Sequence, residues 1–177
     1  MRDKVYYIVL NIKQEYMQTA YLAGGCFWCV EAIFQRVKGV KEVESGYCNG
    51  TQPNPSYKSI CSGLTGHAEV LKIDFDESEL TFEALLEVFV ETHDPTSLNQ
   101  QGADKGTQYR SAVFYTNDLQ KQIATSVIEN IKGAVTEITE LDVFYPAEGY
   151  HQNYFNSNLN QSYCQMVILP KINKYFR

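Results

Sequence analysis

The chain is short of the features that mark a membrane or nucleic-acid partner. No run of apolar residues approaches the length of a bilayer span. The N-terminal segment MRDKVYYIVLNIKQEYMQ holds only a brief apolar stretch before Asn11 and Lys13, too little for a secretory-signal core. Its 15 basic residues are scattered among 21 acidic ones, giving a net charge of -6 and no block that would neutralise a row of phosphates. These absences argue against nucleic acid and membrane and point to a cytoplasmic protein. Three histidines, His67, His93 and His151, lack metal-ligand spacing and read as structural hydrogen-bonding groups. There is one tryptophan, and cysteine is sparse and odd in number at 5, which excludes a fully paired disulfide framework within the chain. No repeat, low-complexity tract or linker divides it.

What remains is 177 residues with 44% hydrophobic content, enough for one domain with its own core. Residues 1–18 read as a loose leader and 19–177 as that domain. The scarce residues gather in one place. Trp28 lies between Cys26 and Cys29 in AGGCFWCVE, immediately after a glycine pair. Beyond it Val30, Ile33, Phe34 and Val37 recur at helical spacing until Lys38-Gly39. A short strand over Ala20 to Ala23, a Gly-Gly turn and an amphipathic helix follow from this pattern. Cys26 then falls at the first helical turn, where free backbone N–H groups favour a thiolate.

The segment HAEVLKIDFD alternates as a strand, with Leu71, Ile73 and Phe75 on one face and Glu69 in the same parity. A carboxyl there is desolvated and stays protonated toward neutral pH, the state a general acid needs. A helix carrying Phe82, Leu85, Leu86 and Phe89 follows. A polar loop then leads to the strand SAVFY, and a helix capped by Asn117 or Asp118 runs through Leu119, Ile123, Val127 and Ile131 to Gly133. VTEITEL is a further strand, and Pro146 is placed to open a short helix through AEGYHQNYF. The fold class is α+β: a two-layer sandwich of helices on a mixed, mainly antiparallel sheet.

Cys26 and Cys29, one helical turn apart, suit a nucleophile and the thiol that resolves its oxidised form. The same pair would also serve as half a zinc site, or as two small core residues, and the isolated Cys48, Cys61 and Cys164 complete no second pair. Tyr57 and Tyr109 sit in polar turns where a phenol can donate to a ligand oxygen, although 13 tyrosines weaken the inference for any one of them. Asp104 reads from sequence alone as a solvated loop charge.

Taken in order, GGCFWCVE, GYCNG, PNPSYKSICSGLTGHAEV, HDPTSLNQQGADKGTQYRSAVFY, FYPAEGYHQNYF and YCQMVILPK resemble the peptide methionine sulfoxide reductase A family from about Thr19 to Phe176. The resemblance implies a ferredoxin-like core and reduction of the S epimer of methionine sulfoxide, free or in oxidised proteins, as a repair of oxidative damage. It implies Cys26 as nucleophile, Glu69 as acid, Tyr57 and Tyr109 as donors to the sulfoxide oxygen, and Phe27 and Trp28 as the wall holding the S-methyl group. It implies Asp104 as the loop acid ordering the pocket, and Cys29 or Cys164 as resolving thiol. Cys29 is expected to act first by proximity, with Cys164 passing the disulfide outward. It further implies thioredoxin as external reductant, no bound cofactor or metal, and a monomer. Cys48 and Cys61 are assigned to structure. Asn49 and Gly149 depart from residues common in the family, and Gly149 is expected to loosen a helix by up to about 1 kcal/mol. A thioredoxin-like oxidoreductase, a zinc-binding module and an inactive binder of oxidised methionine are the competing readings.

Overall fold

A computed structural model describes residues 16–176; residues 1–15 of the expected leader lie outside the described residues. The described residues form eight strands: β1 (Met17–Gly24), β2 (Val40–Cys48), β3 (Ala68–Asp76), β4 (Gln100–Gln101), β5 (Asp104–Lys105), β6 (Ser111–Tyr115), β7 (Glu137–Glu140) and β8 (Tyr145–Pro146). The α-helices are α1 (Phe27–Phe34), α2 (Tyr57–Ile60), α3 (Phe82–Thr92), α4 (Asp118–Glu129), α5 (Tyr154–Ser157) and α6 (Leu169–Tyr175). Six strands form one sheet in the order β7-β6-β1-β3-β2-β8, while β4 and β5 make a separate ribbon. Neighbours in the large sheet are antiparallel except β6 and β7. The run β1-α1-β2-β3-α3-β6, with spatial order β6-β1-β3-β2, is the ferredoxin-like arrangement.

Period-two patterning decides which face of the sheet is covered. Leu71, Ile73 and Phe75 of β3 join Ala20 and Leu22 of β1 beneath α1, α3 and α4, packed on Val30, Phe34, Leu85, Leu86, Phe89 and Ala124. Phe34, Phe75 and Phe89 are wholly buried, and truncating any one to Ala would cost about 3–5 kcal/mol. The opposite parity, Ala68 and Val70 with Cys48 and Phe114, packs under Leu141 and Phe144.

Three local expectations change. The first helix ends at Phe34 rather than near Lys38; Gln35 caps it, and Val37 packs into the core from the turn that follows. Pro146 does not open a helix. It pairs with Gly46 as part of edge strand β8, where the N–H that proline lacks is not needed for a further ladder. Gly149 therefore begins a 3-10 turn, Gly149–His151, and not an α-helix, with open space where a Cβ would stand. At α4, Asn117 is the cap, its side chain accepting from Gln120 N at 2.9 Å.

Candidate active site

Strand β1 runs into α1 through Gly24 and Gly25. Gly25 has φ +90°, and a Cβ there would stand 2.7 Å from the Gln101 side chain, so this sharp turn needs glycine. The turn sets Cys26 at the N-cap of α1 with no side-chain capping bond of its own. The first helical N–H, that of Phe27, is instead taken by Glu69 Oε2 at 3.0 Å. A carboxyl remote in sequence thus caps the helix that carries the cysteines.

Glu69 sits opposite Tyr47 in the β2–β3 ladder and is 2% exposed. Burial pushes its carboxyl up to about 8, against the partial relief of the Phe27 bond. The carboxyl is therefore mostly protonated at pH 7, as the strand parity predicts.

A cavity of about 190 Å³ is lined by Cys26, Phe27, Trp28, Tyr57, Glu69, Asp104, Tyr109 and Tyr163. Seven of these eight are residues singled out from the sequence. Tyr57 enters from the start of α2, behind a Ser56–Ser59 capping box, and Tyr109 from the 3-10 turn Thr107–Tyr109. Burial raises both phenols above their ordinary value, so both remain hydrogen-bond donors. A larger cleft of about 520 Å³, bounded by His93, Lys171 and Lys174, contains no sulfur residue and none of the pocket groups. Chemistry rather than volume selects the smaller cavity.

Tyr163 was not anticipated. Its hydroxyl donates to Asp104 Oδ2 at 3.1 Å and lies 3.6 Å from Cys29 Sγ. Only its position beside Cys164 in SYC could have drawn notice. Cys29 stands behind the cavity wall, one turn from Cys26, and Cys164 is fully buried in the same apolar cluster.

The thiols depart from the expected pattern. Hydrogen bonding to Cys29, then burial and the Cys29 charge, push the Cys26 thiol well up. Cys29 is brought down to about 7, first by the bond from Cys26 and then by Lys171 and Tyr163, against the cost of burial. The two sulfurs therefore titrate as one coupled pair, with Cys26 pushed up and Cys29 down. The helix terminus alone does not win at Cys26, because its first N–H is already engaged by Glu69 and the sulfur is buried.

The indole of Trp28 stacks on Tyr154 at 3.7 Å and 7°, and meets Tyr163 edge-on at 5.9 Å. Tyr154 is held by Glu31, whose buried carboxylate accepts from Asn153 N at 2.8 Å and Tyr154 N at 3.1 Å. Residue 31, three positions beyond Trp28 on α1, thus clamps the segment that backs the indole. His93 and His67 are structural as expected: His93 bonds Phe89 O and Ser111 Oγ, each at 2.7 Å, and His67 bonds Gln52 O at 2.7 Å. No group of three metal-binding side chains occurs among the described residues.

The family model for peptide methionine sulfoxide reductase matches residues 18–177. The chain belongs to this family. Among relatives, it is 61% identical over 161 residues to the peptide methionine sulfoxide reductase MsrA of Vesicomyosocius okutanii, covering 90% of this chain and 99% of that one. It is 50% identical to the MsrA of Nautilia profundicola over 165 residues, 91% and 95% of the two chains. Among solved structures, Mxr1 of Saccharomyces cerevisiae in reduced form superposes with a TM-score of 0.80 at 34% identity, covering 85% of this chain and 90% of that one. Methionine sulfoxide reductase A of Corynebacterium diphtheriae gives 0.79 at 33%, covering 82% and 77%. The sulfoxide reductase fold and the pocket therefore coincide in one chain.

Proposed function

We propose that the protein reduces the S epimer of methionine sulfoxide, free or within oxidised proteins, to methionine, and that thioredoxin restores the enzyme. The observation that carries this reading is the meeting, in one small cavity, of a cysteine, a carboxyl held near 8 and an aromatic wall. A sulfoxide needs all three.

The substrate's S-methyl group rests against Phe27 and Trp28, a contact that sulfur and methyl make favourably with rings. Its oxygen points to Glu69, Tyr57 and Tyr109. As Cys26 attacks the sulfoxide sulfur, its proton passes to the Cys29 thiolate beside it, and Glu69 gives a proton to the oxygen. In the net step the oxygen moves to Cys26, leaving a sulfenic acid, and two electrons pass to the substrate sulfur, releasing methionine. Cys29, now a thiol, attacks the sulfenic sulfur; a Cys26–Cys29 disulfide forms and the oxygen leaves as water. Cys164, buried in the same apolar cluster, takes over the bridge and passes it outward. Asp104 orders Tyr163 beside the sulfurs. The reaction asks for no bound cofactor or metal, and a monomer acting in the cytoplasm suffices. Among the described residues no helix is long and apolar enough to cross a membrane.

The test is to mix reduced protein with excess methionine S-sulfoxide without thioredoxin, count methionine and map disulfides by peptide mass spectrometry. About one methionine per chain with a Cys26–Cys29 bridge, or about two when Cys164 frees Cys26, is expected. No methionine, with Cys26 still alkylatable, would overturn the proposal. In Glu69→Gln the sulfoxide activity should collapse while any disulfide exchange survives, which separates this reading from a plain disulfide oxidoreductase, and stoichiometric zinc in the purified protein would favour a metal module.

A further inference from the structure

The ribbon β4–β5 carries Asp104 to the cavity and leads into the 3-10 turn that carries Tyr109, yet two strands of two residues have little stability of their own. Gly106 N closes the open end of the ribbon on Asn99 O at 2.9 Å. Among the described residues, the ribbon is hydrogen-bonded to other elements through two side chains: Asp104, which accepts from Tyr163, and Gln101. Gln101 pairs with Asp104 across the ribbon and is 7% exposed. Its amide grips both backbone groups of one residue. Oε1 accepts from Asp94 N at 3.0 Å, and Nε2 donates to Asp94 O at 2.7 Å. Asp94 follows His93, whose ring is held by Phe89 O of α3 and Ser111 Oγ of β6. The stem of the same side chain lies against Gly25, where a Cβ would stand 2.7 Å from Gln101 Cβ and Cγ. One buried side chain therefore joins the turn that presents Cys26, the end of α3 and the ribbon that presents Asp104.

Two bonds from one amide to one residue fix the direction as well as the distance of the ribbon, because each bond is angle-dependent. Tyr109 follows the ribbon closely, its N–H donating to Gly106 O at 3.0 Å, so where the ribbon sits decides where this phenol sits. We propose that Gln101 is a positioning residue that sets the ribbon against the Gly24–Gly25 turn, so that Asp104 and Tyr109 keep one distance from Cys26. Gln101 itself does not line the cavity. The proposal rests on the function argued above, since the distance it fixes separates the nucleophile from a donor to the sulfoxide oxygen.

The experiment compares Gln101→Met, which keeps the stem against Gly25 without either bond, with Gln101→Glu. A protonated carboxyl reproduces the amide, its O–H donating to Asp94 O and its C=O accepting from Asp94 N, whereas an ionised one only accepts and sets a charge against the Asp94 carbonyl. Burial favours the neutral acid, so the clamp is intact at low pH and lost as pH rises. The titratable groups around it are His93 and Asp94 after α3, Asp104 and Lys105 on β5, and Cys26 beyond the turn. Kinetics are read in the first turnover on methionine S-sulfoxide, before any disulfide exchange. Gln101→Met is expected to slow that turnover about 10- to 100-fold, the effect of a small displacement between reacting groups, with KM within about threefold because Phe27 and Trp28 hold the substrate from α1. The rate of Gln101→Glu, divided by the parent's at the same pH, is expected to lie within about threefold of one at pH 5 and to fall about tenfold by pH 8. Hydrogen exchange of the Gly106 amide, compared with the parent at each pH, should be unchanged in Gln101→Glu at pH 5 and faster in Gln101→Met. A merely structural role would shrink the burst and leave the rate of what remains unchanged. That outcome, or a rate ratio for Gln101→Glu that is flat from pH 5 to 8, would overturn the proposal. Should the parent reduce no sulfoxide, the functional reading falls, and the Gly106 exchange rates still decide whether Gln101 holds the ribbon. Where Gln101→Met fails to fold, Gln101→Glu carries the test alone, and a flat ratio overturns the proposal as before.

Discussion

Substituting Glu69 by Gln should weaken the chemistry and strengthen the fold, and both effects can be sized from the same carboxyl. Gln keeps the shape and can still accept from Phe27 N, a bond of 3.0 Å in the parent. What it loses is the transferable proton. General acid catalysis is worth about 10²–10⁴, and Gln retains an N–H toward the oxygen alongside Tyr57 and Tyr109, so a fall of about 10²–10³ in first-turnover rate is expected, about 3–4 kcal/mol in the barrier. Stability moves the other way. The folded-state value of about 8 lies above the ordinary 4.5, so the neutral buried carboxyl is fully tolerated below 4.5, and its contribution is lost as pH rises toward 8. At about 1.4 kcal/mol for each pH unit that interval bounds the loss at about 5 kcal/mol. Gln does not titrate. The two proteins should therefore melt together near pH 4, and Glu69→Gln should melt higher by a widening margin up to pH 8 and by a constant margin beyond. Differential scanning calorimetry from pH 4 to 9, with quenched-flow methionine release at pH 7, measures both effects. Parallel melting curves across that range, or a Glu69→Gln rate within threefold of the parent, would refute the assignment of a buried protonated acid.

Cys29→Ser should keep the methionine burst but lose thioredoxin-coupled turnover by at least about tenfold, as followed by NADPH consumption in a coupled assay; full coupled turnover would remove Cys29 from the first exchange. Gly25→Ala, at φ +90° and 2.7 Å from Gln101, should lose about 1–3 kcal/mol in denaturant unfolding and displace Cys26, so the burst should slow as well. Asn49 has φ 55°, donates to Glu140 O at 2.7 Å and accepts from Asp142 N at 3.2 Å. Asn49→Gly keeps the backbone and should cost about 1 kcal/mol for the lost bonds, while Asn49→Ala adds strain and should cost about 2 kcal/mol, both without loss of first-turnover rate.

How much of this was visible in the chain depends on the range over which each signal acts. The placement of Glu69 needed only its parity with Leu71, Ile73 and Phe75, and that of Cys26 only a glycine pair ahead of a helical period, so both were legible. Asn49, noted as a departure from the family, is accounted for by a left-handed backbone that asparagine tolerates and by two bonds glycine could not make. Tyr163 and His151 were not legible as site residues. Each meets its partner across a long stretch of chain: Tyr163 lies 59 positions from Asp104, and His151, whose Nδ1 accepts from Trp28 Nε1, lies 123 from Trp28. No period or motif spacing encodes such a meeting; it follows only once Glu31 has pinned the segment after His151 to α1. Pro146 failed for a related reason, since a proline suits a helix start and a sheet edge equally, and only the pairing with Gly46 decides.

The thiol pair and the acid together limit when the reaction can run. The first proton leaves the cysteine pair at about 7, and Glu69 gives up its own at about 8. Below the first value both sulfurs are protonated and Cys26 has no base to receive its proton; above the second the oxygen has no acid. A first-turnover rate limited by chemistry should therefore rise and fall around a narrow maximum between these values, belonging to the coupled groups rather than to single residues. Glu69→Gln should lose the alkaline limb, and Cys29→Ser should shift the acid limb upward, because the Cys26 thiol must then ionise without its partner. An alkaline limb that survives in Glu69→Gln would mean that another group, most directly Tyr57 or Tyr109, supplies the proton. Its apparent value would then lie well above 8, since burial raises both phenols.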